Sequence, residues 1–219
     1  MLFHFDSPFG KLVTRLCDLI VLNVVYVLCC IPVFTIGAAT SALYYVVMRM
    51  CRDEEGNVLK NFFHAFRGHF GQSAALTGIW LGTGSFVLLI LYAFNHVDFG
   101  IWNNAKYILY FALLIHFVLF TYVFPVFARF DNTVKNTVRN SWHLAMRYPV
   151  NTAVVCIING LPLILAFFLP QVFSYIFFLW FFLLFALQAY WNAGLFRRIF
   201  AQFEPQKESE DFANAESSD

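Results

Sequence analysis

Charged residues are scarce in this chain. Only 12% of its 219 residues are Asp, Glu, Lys or Arg, whereas a soluble domain carries about 25%. Two long segments contain none at all, Leu19–Met48 and Tyr148–Phe196. A transmembrane helix needs about 20 apolar residues, and the second segment would be about 73 Å long as one helix. Because no bilayer is that thick, this segment must fold back, and we predict a protein that crosses a membrane several times.

Signatures of catalysis and metal binding are missing as well. The sequence has no glycine-rich phosphate loop, no H-E-x-x-H and no G-x-S-x-G. Its five cysteines form no C-x-x-C pair, so we expect them to act as small apolar side chains. A net charge of +1 gives no reason to expect nucleic acid as a partner. We therefore expect a non-enzymatic protein that uses no cofactor and no metal.

Six apolar segments predict an all-α, polytopic transmembrane helix bundle over residues 1–200, followed by an acidic disordered tail over residues 201–219. The predicted spans are 12–31, 36–52, 73–94, 105–127, 151–169 and 172–196. Pro32 is expected to end the first helix and Thr35 to cap the second. If Leu19–Met48 were instead one kinked helix, the bundle would have five spans. We expect no cleavable signal peptide, since the apolar run after Lys11 and Arg15 continues past any cleavage site.

The distribution of basic residues predicts the orientation. Every Lys and Arg except Lys106 lies near the N-terminus, in or beside two long connections (about 53–72 and 128–150), or near the C-terminus. Cytoplasmic flanks of membrane spans are enriched in Lys and Arg. We therefore expect the long connections and the C-terminus to be cytoplasmic. With six spans the N-terminus is cytoplasmic too, and with five it lies outside.

Each long connection contains a basic segment with helical periodicity. "KNFFHAFR" at 60–67 resembles "RNSWHLAMR" at 139–147, an internal repeat compatible with parallel hairpins. The predicted basic faces consist of Lys60, His64 and Arg67 in the first segment, and of Lys135, Arg139, His143 and Arg147 in the second. The predicted apolar face of the second segment consists of Val134, Val138, Trp142 and Ala145. Such helices lie on anionic lipid headgroups, dock a partner protein, or do both.

Polar side chains inside the predicted spans are a second set of candidates, since they are costly in lipid and often functional. They are Asn23, His116, Asn159, Gln188 and Asn192. Each can line a polar cavity or form a hydrogen bond with a neighbouring helix, which is worth about 1 kcal/mol. At the start of the first span, Arg15 and Asp18 are three residues apart and can pair on one helix face.

The second span begins with small residues and ends in a charge cluster. Gly37, Ala38, Ala39, Ser41 and Ala42 predict close packing against other helices. Arg49 and Arg52 mark the predicted cytoplasmic end, and the residues from Asp53 to Gly56 predict a solvated turn.

The sequence around this span resembles the YesL-like family of bacterial membrane proteins, a domain of unknown function. The resemblance is carried by Pro32, "TIGA" at 35–38, "ALYYV" at 42–46, "RDEEG" at 52–56, and Phe62, Phe63 and Phe66. "FDNTVKNTVRNSWHLAM" in the second connection is similar too. The resemblance implies a location in a bacterial plasma membrane. It also implies an accessory component of carbohydrate import, because such proteins tend to be encoded beside sugar importers. It supplies no catalytic residues.

Two functional hypotheses follow. The first is a non-enzymatic accessory or scaffold protein that associates with subunits of an ABC-type carbohydrate importer as well as with the lipid bilayer. The alternative is a permease-like protein that forms its own solute pathway along the intramembrane polar residues. A weaker third idea is a membrane enzyme that uses His116 or a histidine of the connections, for which no nucleophile or carboxylate partner is evident.

Overall fold

The computed structural model describes residues 8–54, 56–68, 70–97, 100–130 and 133–200, and every regular element within them is helical. The helices are α1 (Pro8–Cys29), α2 (Ile36–Cys51), α3 (Val58–Gly68), α4 (Phe70–His96), α5 (Lys106–Arg129), α6 (Val134–Arg147), α7 (Pro149–Phe168), α8 (Pro170–Leu179) and α9 (Phe185–Phe200). A π-helical stretch, Trp180–Leu184, joins α8 to α9. The predicted tail, residues 201–219, lies outside the described residues.

Six stretches of the described chain are long and apolar enough to cross a membrane. They are Gly10–Cys29, Val33–Cys51, Phe70–His96, Lys106–Arg129, Pro149–Phe168 and Pro170–Phe200. The break at Pro32 separates α1 from α2, so the prediction of six spans is confirmed over the alternative of five. The two long connections between spans are not loops, because most of their residues form α3 and α6.

The turn between α1 and α2 depends on Pro32 and Thr35. Pro32 has an extended conformation, with φ −75° and ψ 120°, which ends the helical path. The Thr35 hydroxyl lies 2.5 Å from the carbonyl oxygens of both Cys29 and Pro32. It makes no hydrogen bond to the amides of α2, so the predicted capping bond is wrong. Thr35 holds the turn together by donating back to the end of α1.

Helix α2 is the centre of the bundle. In its 18-residue apolar stretch 61% of the residues are buried, against 6% in the corresponding stretch of α7 and 17% in that of α1. It packs against α1, α3, α4, α5 and α9. The predicted small-residue face is confirmed, since Gly37, Ala38, Ala39, Ser41 and Ala42 are all buried. Their small size lets the backbones of neighbouring helices approach closely.

The helices form three antiparallel hairpins that share one orientation: α1 with α2, α4 with α5, and α7 with the continuous rod of α8 and α9. One end of the bundle carries Arg15, Arg52, Arg129 and Arg197, and we call it the basic end. Arg15 pairs there with Asp53, and Arg197 donates to the carbonyl of Cys51. After each of the first two hairpins a short helix follows at this end: α3 packs on α2, and α6 packs on α5.

The outer helices present apolar side chains to their surroundings. Helix α8 contains no buried residue, and Phe167, Phe168 and Tyr175 are 81%, 72% and 85% exposed. Apolar surface of this extent is not left in contact with water in soluble monomers. It fits a membrane protein whose outer helices contact lipid.

Replacing Gly37 by Ala should destabilise the bundle. A Cβ atom at Gly37 would lie 1.9 Å from Thr77 Oγ1 and 2.8 Å from the Ser73 carbonyl oxygen, so α4 would have to move away. Overpacking of this kind costs about 1–3 kcal/mol. Gly78→Ala on α4 is the matched control, because its added Cβ meets nothing within 4 Å and alanine favours the helix. Thermal unfolding in detergent should show a lower midpoint for Gly37→Ala only; equal midpoints would contradict the close-packing account.

Candidate functional site

The predicted basic faces lie at one end of the bundle and are open to the surroundings. All seven side chains are exposed: Lys60, His64 and Arg67 on α3, and Lys135, Arg139, His143 and Arg147 on α6. The two helices occupy equivalent places, each directly after the second helix of a hairpin. The internal repeat seen in the sequence therefore corresponds to a repeat in the architecture.

Helix α3 is anchored by a cluster of phenylalanines. Phe62 is fully buried and stacks on Phe66, with 6.1 Å between the ring centroids. Phe66 in turn contacts Phe70 at the start of α4. Leu59 and Phe63, also on this helix, are 37% and 42% exposed. The helix thus has one anchored apolar face, a basic face, and further apolar side chains that are left uncovered.

The packed face of helix α6 overlaps the predicted apolar face but is rotated from it. Ala145 is buried, and Val134 and Val138 are partly buried against the core, as predicted. Thr137, Ser141 and Leu144 are buried, whereas Trp142, predicted on the apolar face, is 37% exposed. Thr137 and Ser141 can be buried because each hydroxyl donates to the carbonyl four residues earlier, at 3.1 and 2.8 Å. Hydrophobicity therefore predicted part of this face correctly, but it misplaced Trp142 and missed the buried hydroxyl residues. Its exposed Trp142 is typical of aromatic side chains at a membrane–water interface.

Apolar and basic residues come together beside α6. A cavity of about 310 Å³ lies between α5, α6 and α9, where Val126, Leu144 and Phe200 meet His143 and Arg147. The cavity offers an apolar pocket next to two groups of the predicted basic face. A partner could fill it with an apolar side chain while its acidic groups meet the basic ones.

The charge cluster after α2 forms a corner that ties two helices together, α1 and α2. Asp53 pairs with Arg15 of α1, and it has a positive φ of 55°, which Asp adopts more readily than most residues. The Glu54 carboxylate lies 2.9 Å from Nε of both Arg49 and Arg52. Arg15 pairs with Asp53, so the predicted pairing with Asp18 is wrong. The predicted solvated turn is exposed, yet its carboxylates hold the ends of α1 and α2 together.

Asn23 binds the π-helical stretch. Its side chain is fully buried, and its Nδ2 donates to the carbonyls of Trp180 and Phe181, at 3.0 and 2.6 Å. The backbone N–H of Ala186 donates to Asn23 Oδ1 at 2.7 Å. A π-helical stretch interrupts the regular helical ladder. Asn23 supplies partners for the backbone groups at this interruption, which is a structural role.

Gln188 donates a hydrogen bond to the Ile158 carbonyl, which Pro162 leaves without a partner in its own helix. Pro162 lies inside α7 and has no N–H to bond the carbonyl four residues before it, that of Ile158. The Nε2 of Gln188 on α9 donates to the Ile158 carbonyl. The side chain of Gln188 also lines a cavity of about 230 Å³ between α1, α2, α5, α7 and α9.

Asn159 and Asn192 form a third polar contact between the helices. Asn192 Nδ2 donates to Asn159 Oδ1 at 2.8 Å and to the Tyr44 hydroxyl at 3.2 Å. These bonds join α2, α7 and α9. Asn192 Oδ1 is buried and has no partner among the described residues. Tyr44 and Asn159 both line the 230 Å³ cavity, together with Tyr26 and Thr40.

His116 lies apart from the other intramembrane polar residues. Its ring stacks on Trp80 of α4 at 4.3 Å between centroids, and it fills the space over Gly84, where a Cβ would lie 2.9 Å from Nε2. The structure thus brings Asn159, Gln188 and Asn192 together and leaves His116 and Asn23 at separate places. Among the described residues, no group of His, Cys, Asp and Glu could hold a metal ion.

One family model matches this chain. It is described as a protein of unknown function, DUF624, and it covers residues 19–91. The matched region holds the second half of α1, all of α2 and α3, and most of α4. It includes the segment from Pro32 to Phe66 that carries the resemblance. The second basic segment lies outside the match. No curated protein and no solved structure matches the chain.

The sequence analysis missed three features of the site. The roles of Tyr44 and of the Arg15–Asp53 pair depend on residues far apart in the sequence, so no local pattern indicated them. The role of Gln188 had a readable signal. A proline in the middle of a span frees a carbonyl four residues earlier, and such a carbonyl in an apolar layer needs a donor from another helix.

Gln188→Leu should lower the stability by about 1 kcal/mol, because the Ile158 carbonyl loses its donor. Pro162→Ala restores an N–H at the position that can bond this carbonyl, so it should offset part of the loss. The free energies of unfolding of both single variants, the double variant and the unaltered protein give the coupling energy between Gln188 and Pro162. Pro125→Ala, which restores an N–H in α5 far from Ile158, is the control and should not compensate. Purely additive effects of Gln188→Leu and Pro162→Ala would refute the assignment.

Proposed function

We propose that this protein is a non-enzymatic accessory or scaffold component of a bacterial plasma membrane, and that it associates with an ABC-type carbohydrate importer. The observation that carries the proposal is the pair of basic helices, α3 and α6, at one end of the bundle. All seven of their predicted basic-face side chains are exposed. Two surfaces of like charge, held at equivalent places by a rigid bundle, suit a partner with acidic groups.

The proposed orientation places the basic end in the cytoplasm. Lysine and arginine are enriched on cytoplasmic flanks of membrane proteins, and only Lys106 lies at the opposite end of the described spans. In this orientation α3 and α6 face the cytoplasmic parts of a neighbouring membrane complex. The uncovered Phe63 and Trp142 would lie at the headgroup level, where aromatic side chains are favoured.

The class of partner comes from the family resemblance. The match to DUF624 supports membership of an uncharacterised group, and the YesL-like resemblance of the same segment suggests carbohydrate import. The buried polar residues add indirect support for an accessory role. Asn23 and Gln188 bond to backbone groups of other helices, so these amides have a structural use that requires no solute.

Neutralising the basic faces should abolish docking. A neutralised variant carries Gln at four of these positions, Lys60, Arg67, Arg139 and Arg147. We expect it to lose importer subunits on purification in mild detergent and to lower sugar uptake. The charge-preserving variant with Lys60→Arg, Arg67→Lys, Arg139→Lys and Arg147→Lys should retain most binding, and Lys106→Gln at the opposite end should retain all of it. Rising salt should weaken the association, since exposed charges are screened. Unchanged binding and uptake in the neutralised variant would refute the docking proposal.

A permease-like function is the second candidate, and the 230 Å³ cavity favours it. The cavity lies between five helices and has Tyr26, Thr40, Asn159 and Gln188 in its lining, which are groups that can bind a hydroxylated solute. The purified protein in liposomes should then pass sugars, and Asn159→Leu should stop the flux. An absence of flux across a broad sugar panel would leave the accessory function as the better proposal.

A further inference from the structure

A second surface at the basic end is distinct from α3 and α6. It is an open groove of about 610 Å³ between α7 and α9, closed at one side by α1 and the end of α2. Its charged lining consists of Arg15, Arg197, Arg198 and Asp53. Its apolar lining includes Val154, Ile158 and Trp191.

The charged part of the groove is positive. Three guanidinium groups face one carboxylate, which leaves two positive charges uncompensated. Arg15 pairs with Asp53 and donates to the Tyr190 hydroxyl at 3.2 Å, and Arg197 donates to the Cys51 carbonyl. A guanidinium has five N–H donors, so these contacts leave donors available. Within the described chain neither Arg197 nor Arg198 pairs with a carboxylate.

The apolar part of the groove lies deeper along the same helices. Trp191 precedes Arg198 by seven residues, which is about 10 Å along α9. Trp191 is 61% exposed and Val154 on α7 is 39% exposed. Both helices belong to stretches long enough to span a membrane. Their exposed apolar side chains therefore extend from the charged end into the layer that lipid acyl chains occupy.

Gly194 gives the groove its depth. It lies on α9 between Trp191 and Arg197, in the lining itself, and a Cβ added there would meet nothing within 4 Å. A larger side chain at this position would fill the groove without disturbing the packing of the helices. The groove thus combines a cationic mouth at the end of the bundle with an apolar channel beside it.

We propose that this groove binds an anionic phospholipid. The arginines hold the phosphate of the headgroup, Tyr190 and Asp53 keep Arg15 in place, and an acyl chain lies along Val154, Ile158 and Trp191. Basic pockets between transmembrane helices bind anionic headgroups by the same chemistry. A free phosphate would bind only the arginines at the end of the groove, whereas a lipid also fits the length of the groove and its apolar wall.

The test measures how much phosphatidylglycerol stays bound to the full-length protein. The protein is reconstituted with phosphatidylglycerol and phosphatidylcholine, returned to detergent, and its bound lipids are counted by native mass spectrometry. We expect one retained phosphatidylglycerol per chain. Arg198→Gln, which removes a charge at the mouth, and Gly194→Leu, which fills the groove, should each reduce the apparent affinity about tenfold. The Arg198 side chain makes no hydrogen bond or ion pair with the described residues, and a Cβ at Gly194 meets nothing within 4 Å, so both variants should fold.

Two matched controls separate a site from general attraction. Arg139→Gln removes one positive charge from α6 at the same end of the bundle, and Gly78→Leu adds the same side chain at an open position on α4. Both should retain the lipid as the unaltered protein does. Three outcomes would each overturn the proposal. They are an equal loss of bound phosphatidylglycerol in Arg139→Gln and Arg198→Gln, equal retention of phosphatidylcholine, and displacement of the lipid by millimolar inorganic phosphate.

Discussion

The close approach of α2 to its neighbours is the constraint on which the rest of the structure depends. At Gly37 the side chain of Thr77 and the backbone of α4 occupy the space that a Cβ would need. The small residues that follow remain buried along the same helix. Because association of helices in a membrane relies on such packing more than on a hydrophobic effect, this face of α2 gathers the three hairpins into one bundle.

The second requirement is that backbone polar groups in an apolar layer find partners. Two irregularities break the regular hydrogen-bond ladders of the last hairpin, the π-helical stretch and Pro162. In each case a side-chain amide from another helix donates to the backbone carbonyls there, Asn23 at the π-helical stretch and Gln188 at the carbonyl that Pro162 leaves free. The same side chains that satisfy these groups also join α1 to the last rod and α9 to α7. Polar residues that first suggest a transport pathway thereby explain how the irregular helices are held.

The basic end carries the features that bear on function. Its corner after α2 uses Asp53 and Glu54 to hold arginines of α1 and α2, and this leaves α3, α6 and the groove beside α9 as three separate positive surfaces. The first two extend along helices on the outside of the bundle and suit a partner. The third is narrow, joined to an apolar wall, and suits a lipid. One end of the molecule thus combines protein docking with lipid recognition in our proposals.

The sequence by itself determined the helical class, the six spans to within a few residues, the two amphipathic helices and the small-residue face of α2. These features follow from hydropathy and periodicity, which are local properties of the chain. Only the tertiary structure decided that Thr137, Ser141 and Leu144 join the packed face of α6. It likewise decided that Arg15 pairs with Asp53 and that Gln188 donates to the Ile158 carbonyl. Each of these depends on which residues distant in sequence come within hydrogen-bond or van der Waals distance. That proximity is set by the packing of whole helices, and no local pattern contains it.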